Sequence, residues 1–213
     1  MSNSDYRDWD RVYREYPLEE LPWELGKPRR NLVDLVESSQ IKPGEALDIC
    51  CGAGTNPIYL AQKGFAVTAL DISRKAIEIA KQKTSRARVE IQFVLGNFVT
   101  LPFKDAEFNF LLDMGCFHHV AIEDRKPFIQ GICRVLKPAD GKYLLICFSD
   151  KNGLGWNHFS KEQLVDYFSR QFVFLSVEHF GSVEADGYRR YFYSILMQRR
   201  NKPCLEGHLR NIF

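Results

Sequence analysis

The chain has 213 residues, enough for one compact domain with its own core and too few for several. Hydrophobic residues make up 45% and charged residues 26%, which excludes a disordered or fibrous chain. Lys and Arg number 29 against 27 Asp and Glu, so no large charge draws the protein to nucleic acid or an anionic membrane. No apolar run reaches the length of a membrane span, and MSNSDYRDWD has no signal-peptide core, so a cytoplasmic protein without membrane partners is expected. Six cysteines (Cys50, Cys51, Cys116, Cys133, Cys147 and Cys204) form no CxxC pair and no zinc pattern. They are expected to be reduced thiols, mostly packed in the core, with no metal site.

Residues 1–30 read as a polar arm rich in aromatics, with Trp9, Tyr13 and Trp23, and broken by Pro17, Pro22 and Pro28. A domain over 31–200 and a tail over 201–213 complete the expected organisation. In NLVDLVESS, Leu32, Leu35 and Val36 share one helical face. ALDI is a short apolar strand running into the turn CCGAG. NPIYLAQKG is a helix, with Pro57 in its first turn and Gly64 at its end. FAVTALDIS is a second strand, and Ser73 caps the helix RKAIEIAKQK after it. VEIQFVLGN and the nearly all-apolar FNFLLDM are the third and fourth strands.

DRKPFIQGICRVLKP is a helix stopped by Pro138, and KYLLICFS is the fifth strand. SKEQLVDYFSR is a helix capped by Ser160. QFVFLSVEHF and RRYFYSILMQRR are two last strands joined by the short GSVEADGY. Alternating strands and helices imply an α/β fold: a Rossmann-like, doubly wound, seven-stranded sheet with helices on both faces. The short final connection forces one antiparallel strand near the edge of this mostly parallel sheet.

Ligands of such sheets bind beyond the carboxyl ends of the strands. Gly52 and Gly54 let the backbone turn tightly there, and Asp71 ends the second strand about 20 residues on, where a carboxylate can accept from ribose hydroxyls. A dinucleotide fingerprint would need a third glycine at the position of Pro57. Asp48, just ahead of the turn, disfavours a pyrophosphate and favours a cationic ligand.

With these residues in place, the chain resembles the class I methyltransferases. LDICCGAGT (47–55) is similar to their first motif, with Cys50 where the first glycine usually sits. ALDIS (69–73), LGNFVTLPF (95–103), LLDMGCFHHV (111–120) and RVLKPADGKYLL (134–145) resemble the next four, in order, with Asn97 in place of the usual Asp. The resemblance implies S-adenosylmethionine as cofactor. It assigns cofactor binding to Asp48, Cys50, Gly52, Ala53, Gly54, Thr55 and Asn56 of the first motif and to Asp71 and Ile72 of the second. Asn97, Phe98, Asp113, Met114 and Gly115 follow from the third and fourth. PWELGKPRRNLV (22–33), with Trp9 and Tyr13 before it, resembles the arm of the tellurite-resistance, thiol and thiopurine methyltransferase group, which implies that Trp23 covers the cofactor as a lid.

Methyl transfer is an in-line displacement, for which the protein supplies alignment and dryness. A thiol or metalloid oxyanion needs little base; a nitrogen or hydroxyl acceptor needs one. His118 and His119 follow the fourth strand and are the candidate catalytic bases, each also able to cap a turn. Cys116 could act as a thiol relay or an arsenic ligand, but the sequence places no partner cysteine beside it, which favours a packing role. Trp156, His158, Tyr188 and Arg189 are candidates to face the acceptor, and Arg189 with Arg190 could hold an anion. The expected function is methyl transfer to a small-molecule acceptor by a monomer or homodimer. RNA or protein methylation, and non-catalytic cofactor binding, are the alternatives.

Overall fold

The computed structural model describes residues 8–201. Most of the tail, and the first residues of the arm, lie outside them. Seven strands form one sheet: β1 (Glu45–Ile49), β2 (Ala66–Asp71), β3 (Ile91–Leu95), β4 (Phe110–Met114), β5 (Lys142–Phe148), β6 (Phe172–Val183) and β7 (Arg189–Arg199). Their order is β3-β2-β1-β4-β5-β7-β6. Parallel pairing joins β1 to β2 and β4, β2 to β3, and β4 to β5, while β7 runs antiparallel between β5 and β6. This is the expected sheet, with its antiparallel strand one position in from the edge.

Helices α1 (Trp9–Glu15), α2 (Arg30–Glu37), α3 (Thr55–Gln62), α4 (Arg74–Ala87), α5 (Arg125–Val135) and α6 (Lys161–Phe168) surround it. The central strands are apolar on both faces because each face carries its own core. Alternation along β5 sends Tyr143, Leu145 and Cys147 to a cluster with Phe128, Ile132, Leu164 and Phe168 of α5 and α6. Leu144 and Ile146 join Leu32, Leu35 and Leu60 of α2 and α3 on the other face. Ser73 caps α4, its Oγ accepting from the Ala76 N–H at 3.0 Å, and Ser160 forms a capping box with Gln163.

Two expectations need correction. Strand β6 runs through Val183, into the stretch read from sequence as a connection, so the hairpin tip with Glu184 reaches over the arm. Cys50 and Cys116 are joined by a disulfide, not held as separate thiols. Their sequence separation is 66, and only the β1–β4 pairing brings the two following turns side by side.

Candidate active site

The first motif becomes a turn between β1 and α3 with an unusual backbone. Cys50, Gly52 and Gly54 all have positive φ, at 56°, 53° and 81°. Glycine adopts such angles freely, whereas Cys50 incurs roughly 1–3 kcal/mol of strain. A Cβ on Gly52 would lie 2.6 Å from the Tyr13 hydroxyl, and one on Gly54 would lie 2.8 Å from Ala80 Cβ. Gly52 therefore admits the arm, and Gly54 admits α4. The Gly52 N–H donates to Asp71 Oδ2 and the Ser73 N–H to Asp71 Oδ1, both at 2.8 Å. A carboxylate has about four acceptor positions, so Asp71 keeps capacity for a ligand hydroxyl.

One cavity of about 350 Å³ opens beyond the carboxyl ends of β1, β2, β4 and β5. Of the sequence-predicted residues, Cys50, Gly52, Asp71, Ile72, Phe98, Met114, Gly115, Trp23, His118 and His119 line it. The others do not, and each has a visible task elsewhere. Ala53 is buried under the arm with Tyr13, Leu21 and Ala76. Thr55 Oγ1 accepts from Lys83 Nζ at 2.8 Å, and Asn56 Nδ2 donates to Met114 Sδ at 3.4 Å. Asn97 Oδ1 accepts from the Val99 N–H at 2.8 Å, closing its own turn. Asp113 accepts from the Cys116 and Phe117 N–H groups and from the Tyr143 hydroxyl, so it holds the turn after β4 and not the cavity wall.

The electrostatics favour a cation. Burial raises the carboxyls of Asp71 and Glu24 above their usual range, and Asp113 to about 7. Asp48 is raised well above it by burial and then by repulsion from Asp113 and Asp71. Its Oδ2 is buried with no hydrogen-bond partner. Of these carboxyls, Glu24 has Lys83 Nζ at 3.6 Å. A ligand bringing positive charge and ribose hydroxyls fits the residues present, and a pyrophosphate does not.

The arm forms the roof. Asp10 Oδ1 accepts from the Lys75 N–H at 2.8 Å and the Ser73 hydroxyl at 3.1 Å, pinning α1 to the start of α4. Trp23 Nε1 donates to the Tyr13 hydroxyl at 2.9 Å, and the Trp9 and Trp23 rings meet edge to face at 5.5 Å. Farther along, Pro22 O accepts from the Ala185 N–H at 3.0 Å, and buried Arg29 donates from Nη1 and Nη2 to the two Glu184 carboxylate oxygens.

The half of the cavity past β4 and β5 is walled by aromatics. His118 stacks on Phe148 at 3.9 Å, and its Nδ1 accepts from the Phe148 N–H at 3.3 Å. Burial, then His119 and His158, hold His118 well below its usual pKa. A neutral ring accepting at Nδ1 carries its proton on Nε2, so His118 offers a donor and no basic nitrogen. His119 is half-buried between the His118 and Trp9 rings. Glu24, Arg29, Ile146, Phe148, Asn157, Glu184 and Phe192 also line the cavity and were missed from sequence. Trp156, His158, Tyr188 and Arg189 do not line it. Arg190 does, but Asp186 already holds it at 2.7 and 2.6 Å.

A family model described as a methyltransferase domain matches residues 46–139. An uncharacterized methyltransferase of Schizosaccharomyces pombe is 32% identical over 106 residues, covering 50% of this chain and 72% of its own. The 2-heptyl-1-hydroxyquinolin-4(1H)-one methyltransferase of Mycobacteroides abscessus is 28% identical over 128 residues, covering 60% of this chain. An uncharacterized methyltransferase of Synechocystis is 35% identical over 122 residues, covering 57% of this chain. The match spans 56% of each of these last two, little more than half their length. Among solved structures, one described as conversion of a disulfide bond into a thioacetal group during echinomycin biosynthesis superposes with a TM-score of 0.81 at 20% identity, covering 91% of both chains. TehB from Haemophilus influenzae superposes with a TM-score of 0.69 at 18% identity, covering 83% of this chain and 65% of its own. These superpositions establish the fold.

Proposed function

The chain belongs to the class I S-adenosylmethionine-dependent methyltransferases, and from that premise we propose that it methylates a small-molecule acceptor with a soft nucleophilic atom, a thiol before a metalloid oxyanion. One observation carries the reading: a single cavity joins an acidic, ribose-accepting end at Asp71 to an aromatic end at His118, Phe148 and Phe192. When bound, S-adenosylmethionine supplies an electrophilic methyl group on a sulfonium. Asp71 would hold its ribose hydroxyls, Ile72 and Phe98 would offer apolar surface to its base, and the acidic turn would complement its positive charge. Tyr13 and Trp23 close the roof and exclude water, and aromatic faces there are favourable beside a cation.

The acceptor end favours a thiol because its cations are already engaged. Arg29 is held by Glu184 and Arg190 by Asp186, so an oxyanion would have to displace a carboxylate. His118 donates through Nε2–H and orients the acceptor. His119 is the residue to take a proton where the acceptor carries one. Near-neutral charge supports an acceptor that is neither nucleic acid nor a membrane surface, and among the described residues no helix is long and apolar enough to cross a membrane. A cytoplasmic location and a monomer or homodimer belong to the same reading.

The test is methyl transfer from S-adenosylmethionine to thiophenol, with tellurite as the competing acceptor, followed by mass spectrometry. Methyl phenyl sulfide formed faster than methylated tellurium is the expected result. Cofactor binding with no transfer to either probe would overturn it.

A further inference from the structure

The disulfide between Cys50 and Cys116 lies in the cavity itself: both residues line it, with their Cα atoms 5.8 Å apart. That separation is ordinary for a bridged pair. Cys50 takes a φ of 56°, where a glycine would be unstrained, and places its sulfur in contact with Cys116 in the turn after β4. Cys116 opens the turn that carries His118 and His119. The bond therefore ties the floor of the cofactor half to the first residue of the acceptor half.

We propose that Cys50 and Cys116 are a reversible dithiol–disulfide site whose oxidation state is coupled to cofactor binding, with a low-molecular-weight disulfide as the oxidant. The coupling rests on the methyltransferase reading; the redox site does not. Cys50 is half-buried and faces the cavity, whereas Cys116 is 1% exposed. Cys50 is thus the entry thiol. After losing its proton to water, it attacks the external disulfide, forming a mixed disulfide and releasing one thiolate. Cys116 then loses its proton, attacks the Cys50 sulfur and releases the second. Two protein thiols and one disulfide become one protein disulfide and two small thiols. Neighbouring Cys51 does not compete, because burial holds its thiol protonated.

Bonded sulfurs share space that free thiols cannot. Cys116 packs in the core cluster at 1% exposure, so the half-buried Cys50 is the sulfur freer to move. On reduction, therefore, the Cys50 thiol moves into the cofactor end and narrows it. The disulfide form should bind cofactor more tightly. By thermodynamic reciprocity, cofactor should then hold the pair oxidised by the same factor.

The experiment uses the full chain with S-adenosylhomocysteine as probe. After incubation in oxidised glutathione, peptide mapping should show a link between the segments around 50 and 116. Titration calorimetry should give a dissociation constant about fivefold lower for the linked form than for the reduced form. The exchange equilibrium with glutathione should shift about fivefold toward the disulfide when the probe is present. In Cys116→Ser and Cys50→Gly the ratio of oxidised to reduced affinity should be one, whatever the absolute affinity. Absence of the link would overturn the site. A link with equal affinities, or with the reverse order, would overturn the coupling. No binding of the probe in either form would overturn both the coupling and the methyltransferase reading, leaving the redox site standing.

Discussion

The floor of the cavity comes from consecutive residues, Cys50 to Gly52, while its acceptor wall is gathered from Pro22, Arg29, Phe148, Glu184 and Phe192, spread over most of the chain. The floor works through backbone: positive φ angles, an N–H pointing at Asp71, and a helix start. The wall works through side chains held in place by one another. A backbone device tolerates few residue types and leaves a readable pattern. A side-chain wall can be built in many ways, so its members carry no local signature. Yet the two halves are mechanically joined, because the arm touches both. Tyr13 lies over Gly52, and Arg29, 155 residues from Glu184, locks the arm to the β6–β7 tip.

Breaking the wall should have the largest effect on stability. Arg29→Ala leaves Glu184 buried without its partner and should cost about 3 kcal/mol in urea unfolding. The double variant Arg29→Met with Glu184→Leu removes both charges and should regain most of that loss. Unchanged stability in Arg29→Ala would mean that the lock between arm and hairpin is not formed.

Breaking the floor should act on the ligand instead. Asp71→Ala should weaken S-adenosylhomocysteine binding by about 1–3 kcal/mol in calorimetry while the circular dichroism stays native. Affinity equal to the parent would show that the ribose does not sit there.

Next in size comes the arm. Deleting residues 1–25 removes Tyr13, Trp23 and the Asp10 clamp but leaves every strand. The sheet should fold, affinity should drop roughly tenfold, or about 1.4 kcal/mol, and turnover should fall further. In the intact protein, bound S-adenosylhomocysteine should slow cleavage of the arm by protease. Full activity after the deletion, with cleavage rates indifferent to ligand, would reduce the arm to surface packing.

The smallest effect is on pH dependence, and it sharpens the contrast between the halves. Under the turn after β4, the Asp113 pKa is raised to about 7, so the folded state retains a proton that the unfolded chain gives up near 3.8. That contribution is lost as pH rises through about 7. In the wall, His118 is held below 6.5, so stability is lost as pH falls below that value and the unfolded histidine charges. Between about pH 3.8 and 6.5 the two contributions therefore oppose each other, and above about pH 7 neither changes the melting temperature of the ligand-free protein. His118→Phe should leave the Asp113 slope unopposed, so its melting temperature should fall as pH rises from about 4 to 7; a profile identical to the parent's would contradict the assignment.

The sequence by itself determined the α/β order, the sheet with one antiparallel strand and the turn at Cys50–Gly54. These rest on local rules: strand alternation, caps such as Ser73 and Ser160, and glycines where φ must be positive. It also pointed to Asp71, since the distance from turn to strand end is short and regular. Only the tertiary structure decided which polar residues face the cavity. Asp113 and Asn97 occupy motif positions, yet their oxygens are taken by nearby N–H groups. His118 was legible as a candidate base, but the Phe148 N–H that sets its tautomer comes from β5, 30 residues away. The pairing of Cys50 with Cys116, and of Arg29 with Glu184, was likewise invisible, because each contact exists only once the strands are laid side by side. Local geometry is written in neighbouring residues; which side chains meet is a property of the packed sheet.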